Sequence, residues 1–128
     1  MKIRFRRIGL LTAAAAVLMA QNSGVTRTIV QTKDISVPGR EAVIARVEIA
    51  PGGMAARHTH PGEEISYVME GEGEILIEGQ PVLKIKTGDG FVVPMGAKHE
   101  ARNTGKAPLR LAAVYVVEKG KPLATPAP

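Results

Sequence analysis

The sequence has no cysteine and no tryptophan, and only two phenylalanines and two tyrosines among its 128 residues. Without cysteine it can have no disulfide, thiolate zinc site, iron–sulfur cluster, cysteine nucleophile or lipidated N-terminal cysteine. The shortage of aromatic rings removes the platforms on which single-stranded nucleic acid would stack. There is no apolar block of the ~20 residues that a membrane-spanning helix needs. What is present, 45% hydrophobic and 23% charged side chains, fits one soluble globular domain.

The formal charge of +5 is concentrated at the N-terminus. Lys2, Arg4, Arg6 and Arg7 precede an apolar run from Ile8 to Ala20, the layout of a secretory signal peptide. Residues 1–20 are therefore expected to be removed before Gln21, although Leu18 departs from the small residue usual at its position. An ordinary N-terminal helix is the alternative. Arg6-Arg7 weakly suggests twin-arginine export. Cleavage leaves 13 basic against 12 acidic side chains, too balanced for a nucleic-acid footprint. The expected protein is periplasmic or secreted from a bacterium, with no nucleic-acid partner and no stable membrane insertion after cleavage.

From Gly24 onward the pattern is one of strands and turns. Val43, Ala45, Val47 and Ile49 alternate with Arg46 and Glu48, as on a half-buried strand. Short runs at 65–70, 74–78, 82–86, 91–93 and 109–117 are separated by Gly- and Pro-containing turns. Such a series predicts an all-β sandwich or barrel over residues 21–119. Residues 120–128, with three prolines, read as an extended tail without a core of its own.

The chain has three histidines. His58 and His60 flank one residue, so on a strand both rings share a face. Glu63 and Glu64 follow a Pro61-Gly62 turn, and His99 lies on a later strand. Imidazoles with a carboxylate suit Fe, Mn, Ni, Co, Cu or Zn rather than Mg or Ca. Glu64 is taken as the ligand and Glu63 as a solvated or outer carboxylate; Arg57 should point away. Arg46, Tyr67 and Met54 are candidates for the rim.

Two motifs carry a family resemblance. From Gly52, five residues lead to His58, one to His60, three to Glu64 and six to Gly71. From Gly88, five lead to Pro94, one to Gly96, two to His99 and three to Asn103. These resemble the first and second motifs of the cupin superfamily, separated here by 16 residues. The resemblance implies a small antiparallel jelly-roll β-barrel holding a divalent transition metal (Fe, Mn, Ni, Cu or Zn) through His58, His60, Glu64 and His99. Gly52, Gly71, Gly88 and Gly96 are expected at turns of positive φ, and Asn103 as a turn cap.

Four protein ligands on a six-coordinate metal leave two positions for water or substrate. The leading expectation is a dioxygenase-like enzyme of the small quercetin-dioxygenase-like type, acting on a small chelating substrate, with Glu64 also the catalytic proton acceptor. Isomerisation or decarboxylation would use the same site. A non-enzymatic metal- or ligand-binding protein of the cell envelope is the alternative of another class, and a barrel with a vestigial site is a third. Exposed sheet edges point to a homodimer. A DNA-binding cupin regulator would carry a helix-turn-helix for which there is no room.

Overall fold

A computed structural model describes residues 23–128; the expected signal peptide, residues 1–20, lies outside the described residues. Among the described residues, none forms a helix long and apolar enough to cross a membrane. The strands are β1 (Ser23–Asp34), β2 (Arg40–Thr59), β3 (Gly62–Glu70), β4 (Glu72–Ile77), β5 (Leu83–Lys86), β6 (Gly90–Val93), β7 (His99–Asn103), β8 (Leu109–Glu118) and β9 (Thr125–Pro126). All pairings are antiparallel, in the order β5-β4-β7-β2-β8-β3-β6, with β1 and β9 added to β2. The architecture is the expected all-β jelly roll, a nearly closed antiparallel barrel.

The long strand β2 belongs to both walls. Its first half pairs with β8 without a break from Arg40↔Glu118 to Ile49↔Leu109, and carries β1 on its other side. Past Pro51-Gly52-Gly53 it pairs with β7. One wall is thus β1, the first half of β2, β8, β3 and β6. The other is the second half of β2, β7, β4 and β5.

The alternation read from the sequence explains the core. Val43, Ala45, Val47 and Ile49 are all buried, and face the interior beside Leu109, Leu111, Ala113, Tyr115 and Val117 of β8. Fully burying an aliphatic side chain of this size contributes roughly 1.5–3 kcal/mol, so the β2–β8 pair anchors the barrel. β1 has no comparable alternation; its place comes from the main-chain ladder on β2. At Gly62, a Cβ would stand 1.8 Å from the Val116 carbonyl oxygen, so β3 can approach β8 there only as glycine. Gly71 has φ +89°, and a Cβ on it would meet the Pro108 carbonyl oxygen at 2.5 Å.

The C-terminal segment is extended, but it shares the barrel's core. Thr125–Pro126 pairs with Thr59 and His58, the Ala127 amide donates to the Arg57 carbonyl at 3.1 Å, and Leu123 packs on the buried cluster. Composition concealed this, because three prolines suppress a strand pattern while still permitting a two-residue pairing at an edge.

Asn103 caps a turn, as expected, and does more. Its Oδ1 accepts from the Gly105 amide at 2.9 Å, while its Nδ2 donates to the Ala107 and Ile49 carbonyls, each at 2.8 Å. The last bond ties the 103–107 turn to the point where β2 leaves the first wall. Asn103→Ala strips buried carbonyls of a donor and is expected to lower unfolding free energy by about 2–3 kcal/mol. Urea denaturation checks this; an unchanged midpoint would remove Asn103 from the framework.

Candidate metal centre

His58 is delivered by an irregularity in β2. Ala55 lies opposite Ala101 of β7, and an unbroken antiparallel ladder would then set Arg57 opposite His99; instead His58 takes that place. The extra residue is a β-bulge, a device that re-aims side chains next to functional sites. It changes the inward set from odd-numbered to even-numbered residues. Ala55 is buried, Arg57 is exposed and ion-paired with Glu78, and His58 faces His99 with ring centroids 4.2 Å apart. His60 follows just beyond the strand, its ring 4.7 Å from that of His58. Glu64 comes from the inner face of β3, between Tyr115 of β8 and Val93 of β6.

The four expected residues are brought together. His58 Nε2 is 3.2 Å from His60 Nε2, which is 3.1 Å from Glu64 Oε2; His99 Nε2 is 3.3 Å from that same oxygen. His60, Glu64 and His99 are all buried, and His58 is partly so. The other nitrogen of each ring meets a main-chain carbonyl: His58 Nδ1 at Ala56 (2.6 Å), His60 Nδ1 at Leu123 (2.6 Å) and His99 Nδ1 at Ala97 (2.9 Å). A carbonyl only accepts, so each Nδ1 carries the proton and each neutral Nε2 presents a lone pair inward. The carboxylate is oriented in turn, its Oε1 accepting from Ser66 Oγ at 2.8 Å.

Acceptors crowded against acceptors call for a cation. His99 Nε2 is buried without a hydrogen-bond partner, since its approach to Glu64 lacks hydrogen-bond geometry. Buried polar atoms left unsatisfied are rare in native proteins, and an ion is one of the ordinary explanations. The three histidine nitrogens lie within 4.8 Å of one another. Imidazole nitrogens with a carboxylate oxygen, supported by carbonyls behind the rings, match the donor set and outer shell of transition-metal sites. The residues present therefore fit a divalent transition metal.

Residues proposed for the rim are elsewhere. Arg46 and Tyr67 point outward from β2 and β3, and Met54 does not line the interior cavity. Glu63 is exposed, consistent with a solvated carboxylate. Two contributors escaped the sequence reading: Leu123, whose carbonyl fixes His60, and Arg27 of β1, which lines the cavity. That cavity measures only about 20 Å³, room for about one water-sized molecule. A wider surface groove of about 600 Å³ beside Gly71, Lys86 and Lys106 contains none of the histidines.

Burial lowers the His58 imidazole to about 4, helped by nearby His99 and opposed by the bond to Ala56. Burial alone would raise the Glu64 carboxyl, but the imidazoles of His60 and His99 beside it, with Ser66, hold it well below the carboxylate range. Burial and the Glu64 charge push the Tyr115 hydroxyl up to about 12. For the metal-free protein the linkage is definite. Between its ordinary value of 6.5 and about 4, His58 binds a proton in the unfolded chain before it does so in the folded one. The stability associated with neutral His58 is thus fully present above 6.5 and lost as pH falls through about 4. Urea midpoints of metal-free protein should decline over this window, and less steeply in His58→Gln. Equal slopes for the two proteins would contradict the assignment.

Known proteins resemble this chain in sequence and in fold. The chain is 35% identical over 119 residues to germin-like protein subfamily 2 member 3 of Arabidopsis thaliana, covering 87% of this chain and 52% of that protein. It thus spans about half the length of that relative. A conserved protein with a double-stranded β-helix domain from Klebsiella pneumoniae superposes with a TM-score of 0.66 at 25% identity, covering 81% of this chain and 87% of its own. A cupin-like protein from Thermotoga maritima gives 0.67 at 22% identity, over 80% and 75%. The cupin-domain family model matches residues 45–117, a stretch that holds both histidine motifs and most of the barrel, and the chain belongs to that family.

Proposed function

We propose that this cupin is an exported metal-dependent enzyme of dioxygenase-like type, holding one divalent transition metal through His58, His60, Glu64 and His99 and acting on a small chelating substrate. The observation that carries the metal assignment is the convergence of three Nε2 lone pairs and one carboxylate oxygen, with every Nδ1 engaged by a carbonyl. Cupins commonly bind metals, which supports the same reading. When bound, the metal supplies Lewis acidity and a template for oxygen ligands.

The protein's own groups divide the remaining work. Glu64 is the one proposed ligand that could also accept a substrate proton, and Ser66 holds its Oε1 in place. Tyr115 remains protonated and packs its ring 4.7 Å from that of His60. Val47, Ile49, Phe91 and Leu111 line the chamber with apolar side chains. The small cavity favours a second reading, in which the same site serves a non-enzymatic metal- or ligand-binding protein of the envelope.

We also propose a homodimer. Ile44, Val114, Ile65 and Val92 form an apolar row across the outer face of one wall, and β5 and β6 end the strand order with open edges. Light scattering at micromolar concentration should give twice the monomer mass; a monomer alone rejects the dimer.

Elemental analysis tests the central reading. Protein purified without chelators or a polyhistidine tag should carry close to one equivalent of Fe, Mn, Ni, Cu or Zn, and His99→Ala should lose it while keeping the β-sheet circular dichroism. A chain ending at Gly120, without the carbonyl behind His60, should bind metal about 10–100-fold more weakly. Full metal retention by His99→Ala would overturn the ligand assignment. Stoichiometric metal with no substrate-dependent spectral change across chelating enols and phenols would favour the binding-protein reading.

A further inference from the structure

The four ligand positions are not held equally. Glu64 is paired on both sides, with Val93 of β6 and Tyr115 of β8, and His99 likewise, with Ile77 of β4 and His58 of β2. The stretch from His58 to His60 has β7 on one side, while its other side is covered by the last residues of the chain. There β9 adds two pairs, His58↔Pro126 and Thr59↔Thr125, and the Ala127 amide donates to the Arg57 carbonyl at 3.1 Å. The Leu123 carbonyl accepts from His60 Nδ1 at 2.6 Å, and the Leu123 side chain is partly buried against the core.

That cover is jointed at one end and lightly fastened along its length. Lys119 is fixed, its amide donating to the Gly39 carbonyl at 3.0 Å and its Nζ to Asp34 at 2.8 Å. Gly120 follows with φ +79°, in the left-handed region that glycine adopts freely, and so provides a pivot. Beyond it, Pro122 and Pro126 fix their own φ and hold Lys121 and Thr125 extended, which makes residues 121–128 a stiff strip rather than a coil. Pro126 has no N–H to give to the ladder, so the pairing at His58 is a weak one. Chain ends held by so short a ladder open at the low end of local stability. Some segment must move for an ion to pass. His60, Glu64 and His99 are 3%, 6% and 3% exposed, and the cavity beside them has room for about one water-sized molecule, less than an ion with its hydration shell. The strip is the part of the wall that can leave without breaking any other strand pair, because β9 ends the chain and pairs with β2 alone.

We propose that residues 121–128 form a latch over the metal position, pivoting at Gly120. Its release uncovers His60 and opens the route by which a divalent transition metal enters and leaves; its closure returns the Leu123 carbonyl to His60 Nδ1. This rests on the metal reading above and adds to it the way the ion is exchanged. Leu123 is a positioning residue here, its carbonyl setting the imidazole and its side chain seating the latch.

The test follows cobalt(II) by its visible spectrum as metal-free protein takes it up and as loaded protein releases it to excess EDTA. Thr59→Cys combined with Thr125→Cys sets two thiols opposite each other across the β2–β9 pair, where antiparallel partners stand at a separation a disulfide can bridge. The chain has no other cysteine, so a single defined bond forms. With that bond closed, uptake and release should both slow at least about tenfold relative to wild type, with the dissociation constant unchanged, because a gate acts on both directions alike. Reduction and capping of the thiols with iodoacetamide should bring both rates back to at least the wild-type value. Leu123→Ala keeps the carbonyl but loosens the seat, and should speed both by about threefold or more. Rates unaffected by the closed disulfide would overturn the latch, as would slower release with unaltered uptake, the mark of a site merely tightened. Should the double variant fail to fold, Leu123→Ala decides, and unaltered exchange in it rejects the proposal. A wild-type protein that takes up no cobalt would overturn the metal reading itself, whereas cobalt exchange indifferent to the disulfide overturns the latch alone.

Discussion

One extra residue between Ala55 and His58 governs the interior of this barrel. Up to Ala55 the inward positions of β2 are odd-numbered and apolar, and they build the core. Beyond the bulge the inward position is His58, opposite His99, and Arg57 lies outside. An unbroken ladder would set a guanidinium opposite His99 and turn the first imidazole toward solvent, because side chains alternate with a period of two. The supports around β2 make the break tolerable. β8 holds its first half over ten residue pairs, Asn103 grips the carbonyl of Ile49, and β9 closes on His58 and Thr59.

The electrostatic design follows from that placement. Carbonyls of Ala56, Ala97 and Leu123 set all three imidazoles in one tautomer, and they come from three separate parts of the chain. The result is a cluster of lone pairs in a small chamber with largely apolar walls, poised for a cation rather than a proton. Burial keeps His58 neutral, and Glu64 is held well below the usual carboxylate range. These are the protonation states that metal ligation requires. Arg27, on a strand with little alternation of its own, lines the same chamber.

Much of the fold was legible locally. The alternation from Val43 to Ile49 and along Leu109–Val117 identifies inner faces directly, because a half-buried strand must repeat every two residues. The spacing of His58, His60 and Glu64 was equally plain, and the two motifs predicted the residues that the barrel brings together. β1 was less visible because main-chain pairing fixes it more than an apolar face does. The rim candidates Arg46 and Tyr67 were misplaced because reach along the chain does not reveal which wall a side chain serves, and both belong to the outer face.

By itself, then, the sequence determined the all-β class, the turn positions, the histidines and carboxylate available as ligands, and the exclusion of thiol chemistry. These are properties of residue type and short-range spacing. Tertiary structure alone decided that Leu123 would orient His60, that Asn103 would reach Ile49, and that Arg27 would share a cavity with His58 and His99. Those contacts join residues tens of positions apart through ladder register and a bulge, and strand pairing across a barrel is a property of the whole chain that no local pattern contains.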